Sequence, residues 1–520
     1  VAKKLFLETF GCQMNVLDSE LVLGQLRAQG YQSTDDREAA DVIVYNTCSV
    51  REHAEQKVWS RLGELKDRKQ QNPELVIGVI GCMAERDGVD IFRKFPQVDL
   101  LCGPGELDKL ANLIHNAVIT GETGTRRSRQ TALMGASARR SSTLAAAEDN
   151  LEMLDLSRSI SPVDVETGAV PAQAYVRITR GCNKFCTYCV VPYTRGPEVH
   201  RPPANIIEEV RKLTAAGVRE ITLLGQTINH YAYQHGDGRT TSFAELLYRV
   251  HEAAPDLSRL RFVTSFPRDF TDEALQAMRD CDRICRYLHV PAQSGSDRVL
   301  KLMNRGYTAG QYRELIDRAR AIIPDISLAS DFIVGFPTET DDEFQQTVEL
   351  TRNCRFKNSF IFKYSPRPGT TAIDRFTDDV AEEIKRKRNA ELLAVQSQVC
   401  HEVNQAMIGR TVQVLVEGES RFVGKPVYPS SAGGTVQLGF KQRKIEDSPA
   451  TLQLVGRTRG DQIVVFPGES SMKGQLIDVE IVDAKSLTLF ARPAHQGAFT
   501  AGTAGVADRR GRSDRLSVST

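Results

Sequence analysis

Cys182, Cys186 and Cys189 stand in a C-x3-C-x2-C spacing inside Gly181-Cys182-Asn183-Lys184-Phe185-Cys186-Thr187-Tyr188-Cys189. That spacing puts three thiolates on one tight loop, and thiolate is the ligand that iron–sulfur clusters take. A cubane cluster or a structural zinc ordinarily takes four protein ligands, and only three lie within reach here. The residues therefore point to a [4Fe-4S] cluster with one iron open to a small molecule. A zinc knuckle is the alternative reading, but no local Cys or His completes the C-x2-C … C-x2-C pattern of structural zinc.

A second set of thiols is dispersed. Lys3 to Thr9, Asp41 to Thr47 and Leu75 to Ile80 read as strands, and each runs into a cysteine: Cys12, Cys48 and Cys82. Helical stretches over Asp18 to Gln29 and Arg51 to Lys69 separate them, an alternation that argues a parallel sheet. In such a sheet the carboxyl ends of the strands share one rim, where ligands bind. The three cysteines then converge although more than 30 residues separate them in the chain. Glycine beside Cys12 and Cys82 allows close backbone approach. Val98 to Leu101 reads as a further strand ending at Cys102, which is a rival ligand, and small buried cysteines at strand ends are the plainer alternative.

The elements that must carry the first loop follow from residue 171. Strands over Ala174 to Ile178, Glu220 to Leu224, Arg261 to Thr264, Tyr287 to Val290, Ser327 to Val334 and Ser359 to Lys363 alternate with helices. Repeated units of this length predict a barrel or partial barrel. Polar residues at its strand ends (Gln226, Asn229, Ser265, Gln293, Ser294, Asp331) and Arg305 are candidates for holding a cofactor or substrate. Asp378 to Met407 reads as a long helix whose Lys385-Arg386-Lys387-Arg388 run suggests a solvated face. Short strands over Thr411 to Val416, Thr451 to Leu454, Gln462 to Val465 and Leu476 to Ile481 then predict a small β-barrel. Between the first two units, periodicity fails from Thr120 to Ser161, which reads as a linker whose arginines are solvated or touch RNA phosphates. Residues after Arg492 read as a disordered tail. The expected domains are thus 1–118, a linker over 119–170, 171–408, 409–490 and a tail over 491–520.

Bulk properties narrow the class. The 67 Lys+Arg against 66 Asp+Glu give no global basicity, so any RNA site must be local. No run of 18 apolar residues occurs, and Glu8 interrupts the apolar N-terminal stretch, so neither a membrane span nor a signal peptide is expected. Eleven cysteines suit metal ligation in a reducing compartment, and the reading is a cytoplasmic protein.

The stretch from Ile178-Thr179-Arg180-Gly181-Cys182 to Tyr193-Thr194-Arg195-Gly196 resembles the signature of radical S-adenosylmethionine (SAM) enzymes, and more narrowly their methylthiotransferase branch. Further segments resemble that branch: Glu8 to Asn15, Asn46 to Arg51, Gly81 to Ala84, His289 to Ser296, Met303 to Tyr307 and Phe362 to Thr370. Asn46 to Glu55 and Trp59 to Gly63 look like the MiaB type. The segments Val455 to Thr458, Val464 to Gly468 and Gly474 to Val479 look like a TRAM domain, an RNA-binding β-barrel. Two motifs depart from the pattern. Thr227-Ile228-Asn229-His230 replaces Asn-Val-Asn-Ser, and Phe266 replaces a histidine. Tyr428 to Pro449 looks like an insertion.

The resemblance implies a fold: an N-terminal parallel α/β domain, a partial (β/α)6 radical SAM barrel and a TRAM barrel. It implies two [4Fe-4S] clusters, one on Cys182, Cys186 and Cys189 and an auxiliary one on Cys12, Cys48 and Cys82, with Cys102 structural. The first would bind SAM through its open iron and cleave it to methionine and a 5′-deoxyadenosyl radical; the second would carry or donate sulfur. Two SAM molecules would be used per turnover, the second as methyl donor. The implied reaction places a methylthio group on carbon 2 of N6-isopentenyladenosine beside a tRNA anticodon. Sibling reactions on N6-threonylcarbamoyladenosine or a ribosomal-protein aspartate, or a non-catalytic RNA-binding iron–sulfur role, are the alternatives. Partners implied are tRNA, a flavodoxin-like or ferredoxin-like electron donor, and iron–sulfur assembly or sulfur-delivery proteins.

Overall fold

The structure is a computed structural model that describes residues 2–49, 52–122, 129–134, 144–156, 171–420 and 452–494. The Arg-rich stretch 138–142, the insertion Tyr428 to Pro449 and the tail beyond Ala494 lie outside the described residues.

Val42–Thr47 and Val76–Gly81 are buried at every position, as expected of central parallel strands covered on both faces. Alternate side chains feed two separate cores. Val42, Val44, Val76 and Ile80 pack with Leu17, Leu21 and Ile114 on one face. Ile43, Tyr45, Ile77 and Val79 pack with Val58, Leu62 and Leu65 on the other. The sheet is wider than predicted. All six strands are parallel, in the order Gln32–Ser33, Lys4–Thr9, Val42–Thr47, Val76–Gly81, Leu100–Cys102, Gln130–Ala132.

The last of these strands corrects the expectation of a featureless linker. The preceding helix continues to Glu122, Gln130–Ala132 pairs with Leu100–Cys102, and Leu144–Leu156 is helical. Leu151 and Leu154 of that helix enter the N-terminal core. Its remaining anchorage is ionic and long-range. Asp155 meets Arg177 at 2.5 Å and Arg201 at 3.4 Å, and also pairs with Arg180. Glu152 meets Arg201 at 2.8 Å and Arg180 at 3.0 Å. On the other side of Arg177, Asp18 lies 2.9 Å away and also holds Arg195 at 2.9 Å. A hydrophobic period cannot announce a helix whose partners are arginines of another domain.

Six parallel strands form the central unit in chain order. Gln173–Arg177, Glu220–Leu224 and Arg259–Phe262 make one sheet, and Tyr287–His289, Ser327–Val334 and Asn358–Lys363 the other. A parallel bridge between Leu260 and Ile284 joins them. This is the expected partial barrel. Helix Glu382–Gln405 closes its flank, and here the charge run is not simply a solvated face. Lys385 is buried against Asp378 at 2.6 Å, and Arg388 is buried against Glu339 at 2.9 Å.

The third unit is a closed five-stranded barrel in the order Thr411–Glu419, Leu452–Thr458, Ile463–Gly468, Leu489–Pro493, Leu476–Ala484. Its fifth strand, Leu489–Pro493, escaped the sequence reading and runs into the predicted tail. Leu489 and Ala491 fill the barrel core. This small barrel plugs the amino-terminal end of the central strands. Arg259 donates to the Arg457 and Gln413 carbonyl oxygens, both at 2.8 Å, and Lys357 pairs with Asp461 at 2.6 Å.

Burial pushes the Asp155 carboxyl up, but Arg177, Arg201 and Arg180 together outweigh it and hold it well below the usual carboxylate range. Its stabilising contribution is therefore present above the unfolded value of about 3.9 and is lost as pH falls below it. Asp155→Ala leaves buried guanidinium groups short of their partner and should destabilise the fold by about 3–5 kcal/mol. A urea titration at neutral pH checks this, and an unchanged midpoint would show that Glu152 and Asp18 suffice.

Candidate active site

Cys12 lies just before helix Gln13–Ala28, and its carbonyl oxygen accepts from the Asn15 and Val16 amides at 3.0 and 3.2 Å. Cys48 follows the strand Val42–Thr47, and Cys82 opens the helix Cys82–Asp87. The neighbouring glycines make the approach possible. Gly11 has φ +127°, and a Cβ there would stand 2.3 Å from the Cβ of Cys48. Gly81 has φ +91°, and a Cβ there would stand 2.5 Å from the Asn46 side-chain oxygen. Neither position accepts a side chain.

The electrostatics register the convergence. The Cys12 thiol is brought down to about 5 by its hydrogen bond with Cys48, with the Arg195 cation adding to the effect and burial opposing it. Burial pushes the Cys82 thiol up, while Arg195 pulls the other way and Cys12 adds a like charge. Cys102 faces elsewhere: its thiol donates to the Glu106 carbonyl oxygen at 3.1 Å.

The second group of thiols is local. Gly181 has φ +67°, and a Cβ there would fall 1.9 Å from the Pro197 carbonyl oxygen. The Cys182 amide donates to the Gly196 carbonyl at 3.2 Å, and the Cys189 amide to the Cys186 carbonyl at 3.0 Å. Arg305 points a guanidinium nitrogen at the Cys186 sulfur, 3.2 Å away. Burial pushes the Cys182 and Cys189 thiols up, and the charge of Cys186 adds to the rise at both. Three crowded thiols, with the Arg305 cation beside Cys186 and acting on Cys189, are a donor set that suits a cluster, which would take their protons away.

One residue joins the two groups. Arg195, at the end of the helix Val191–Thr194, donates to the Asn15 side-chain oxygen at 3.0 Å and to Asp18 at 2.9 Å. It acts on both Cys12 and Cys82. Sequence reasoning placed Arg195 inside a motif but gave it no role, because Asp18 and the sheet-rim thiols are brought to it only by folding.

A cavity of about 820 Å³ opens beside the sheet-rim thiols Cys12 and Cys48. Cys12 and Cys48 line one part, Gln226, Thr264, His289 and Asp331 the middle, and Arg261, Lys357, Arg457 and Asp461 the far end. Phe360 and Phe362 also line it, and both are exposed. They were missed because alternation in a short strand does not say what the open face meets.

The seven predicted polar candidates divide. Gln226 and Asp331 reach the cavity, and Asp331 is held by His289 at 2.9 Å. Ser265 Oγ is buried and has no hydrogen-bond partner among the described residues. Gln293 has φ +72°, and its amide donates to the Asp331 carbonyl at 2.8 Å. Asn229 brackets the Phe266 backbone, with bonds of 3.0 and 2.7 Å, a structural clamp. Arg305 is engaged by Cys186, Tyr307 and the Pro291 carbonyl. Ser294 packs against Thr347 instead of a ligand space.

Two family models match the chain: "Uncharacterized protein family UPF0004" at residues 4–103 and the "Radical SAM superfamily" at 176–351. A protein of Rhodopirellula baltica named tRNA-2-methylthio-N(6)-dimethylallyladenosine synthase is 45% identical, over 98% of this chain and 99% of its own. Proteins of the same name from Syntrophotalea carbinolica and Neisseria meningitidis serogroup B are 39% and 40% identical, over 95% and 94% of this chain and 99% and 98% of theirs. The chain belongs to this radical SAM methylthiotransferase family. Membership brings a [4Fe-4S] cluster and SAM, and the Cys182, Cys186, Cys189 group has the donors for the cluster. Among the described residues, no helix of this methylthiotransferase is long and apolar enough to cross a membrane.

The convergence of Cys12 and Cys48 has a direct chemical test. The reduced, metal-free methylthiotransferase, treated with limiting disulfide oxidant, should cross-link Cys12 to Cys48 and leave Cys102 free, as read by peptide mass spectrometry. Preferential cross-linking through Cys102 would overturn the assignment of the sheet-rim thiols.

Proposed function

We propose that this chain is a tRNA-2-methylthio-N6-isopentenyladenosine synthase, which inserts sulfur at carbon 2 of the prenylated adenosine beside the anticodon and methylates it. The observation that carries the reading is one cavity with Cys12 and Cys48 on its wall and the Cys182, Cys186, Cys189 loop tied to the same rim through Arg195. A cluster on Cys182, Cys186 and Cys189 would supply the electron that cleaves SAM. A second, on Cys12, Cys48 and Cys82, would carry or donate the sulfur.

The chain's own residues do the positioning. Gly11 and Gly81 let the rim thiols close together. Arg305 presents positive charge to Cys186, and Thr227 reaches the Cys182 sulfur at 3.5 Å. Gln226, Ser265 and Asp331 are the polar groups left to meet SAM, and Gln293 supports Asp331 through its backbone. Phe360 and Phe362 offer aromatic faces on which an unstacked loop base can lie, the usual mode for single-stranded RNA. Two SAM molecules per turnover, one for the radical and one for the methyl group, complete the balance. The electron donor is flavodoxin-like or ferredoxin-like, and assembly or sulfur-delivery proteins replenish the auxiliary site.

Two experiments test this. In tRNA from cells lacking the gene, nucleoside mass spectrometry should show loss of 2-methylthio-N6-isopentenyladenosine and a rise of its unthiolated precursor, both reversed on complementation; an unchanged nucleoside profile rejects the substrate. For the sites, Cys182→Ala should abolish 5′-deoxyadenosine release, whereas Cys48→Ala should retain some release and lose thiolation. Each variant should hold about half the parent's iron. Full thiolation by the Cys48 variant removes the auxiliary role.

A further inference from the structure

Glu198, His200 and His230 form a cluster outside the cavity, with one potential ligand atom from each lying within 4.8 Å of the others. The hairpin strand Val199–His200 carries one histidine, and the short turn Ile228–His230 carries the other. Glu198 Oε2 is 2.9 Å from His230 Nδ1, and Glu198 Oε1 faces His200 Nε2 at 3.5 Å. Those last two atoms are buried, and neither has a hydrogen-bond partner among the described residues. The Glu198 side chain is only 2% exposed, and what faces its Oε1 is the His200 ring across that 3.5 Å gap, a span longer than a good hydrogen bond.

The 3.5 Å gap suits a metal ion. Two ligand atoms on a tetrahedral zinc, each about 2.1 Å from it, lie about 3.4 Å apart. The second ring nitrogen is held as metal-ligating histidines usually are: His200 Nδ1 lies 2.9 Å from the Ala232 carbonyl oxygen. The Ala232 amide also approaches Nδ1, at 3.2 Å, but the carbonyl is the nearer partner; in the tautomer that donates to it, Nε2 keeps its lone pair for the cluster. His230 is half-exposed and sits at the open side, where water can complete the coordination. We propose that Glu198, His200 and His230 bind a divalent transition ion of the zinc class, independent of the cysteine sites.

The ion would brace the radical loop. Glu198 is joined to it directly, since its amide donates to the Asn183 side chain at 3.1 Å. Gly196, nearby in the same segment, accepts the Cys182 amide. A metal at Glu198 would thus lock the hairpin Thr179–Arg180/Val199–His200 and the loop after Glu220–Leu224 into one piece.

Cobalt(II) titration of the cluster-loaded protein tests this, because cobalt reports its ligands. The expected result is one equivalent bound with the visible d–d bands of four-coordinate cobalt and no thiolate-to-cobalt charge-transfer band. His200→Ser and His230→Ser should each lose that equivalent while iron and sulfide content stay unchanged. Glu198→Gln, which keeps size and hydrogen bonding, should lose it too and serves if a histidine variant folds poorly. Zinc should compete the cobalt off and raise the melting temperature of the parent but not of the variants. Absence of stoichiometric binding, a thiolate charge-transfer band, or retention by the variants would overturn the proposal and leave a Glu–His ion pair.

Discussion

The structure depends on a buried guanidinium, Arg195, held between Asn15 and Asp18 of one domain while its own backbone belongs to the cysteine loop of another. A buried cation without acceptors is costly, so each domain finishes the other's polar accounting. Arg177 repeats the device, with Asp18 on one side and Asp155 on the other. Slippage between the sheet and the partial barrel would strand several charges at once. Burying an ion pair is a poor route to stability, but it is an effective way to fix one relative placement, and the two thiol groups require that.

Packing alone could not have made this joint. An apolar interface tolerates small sliding, whereas a guanidinium fork and a carboxylate match in few geometries. The glycines work on the same problem at shorter range. Gly11, Gly81 and Gly181 each sit where a Cβ would collide with the opposing segment, so the cysteine beside each can come close to its neighbours. Charge sets the distance between the sites, and absent side chains set the distance within them.

This division explains what the sequence made legible. Three cysteines within eight residues advertise themselves, and strand-ending cysteines can be located once the alternation of strand and helix predicts a common rim. Both inferences use local pattern plus one rule of topology. Helix Leu144–Leu156 was illegible because its anchors, Glu152 and Asp155, find their arginines only in the folded state. Gln130–Ala132 is too short to show a period, and the five residues Leu489–Pro493 are hardly longer. Lys385 and Arg388 misled in the opposite direction: a charged helical run usually faces water, but Asp378 and Glu339 draw these two inward. Of the polar candidates, Asn229 and Arg305 turned out to hold protein, because chemistry at a strand end does not by itself reveal which neighbour claims it.

The small C-terminal barrel then takes on a second meaning. The end of the central strands opposite the cysteine loop is lined by Glu220, Arg259, Arg261 and Lys357, charged groups that an open barrel would expose. Arg457, Arg459 and Asp461 of the small barrel satisfy them, and Arg457 and Asp461 line the cavity. The small barrel is not merely tethered beside the central strands but built into the wall of the chamber. The central strands and the small barrel therefore share one chamber wall. Reaction at a carbon with no acidic proton depends on orientation held to well under an ångström, and a chamber wall built by two domains through paired charges serves that need.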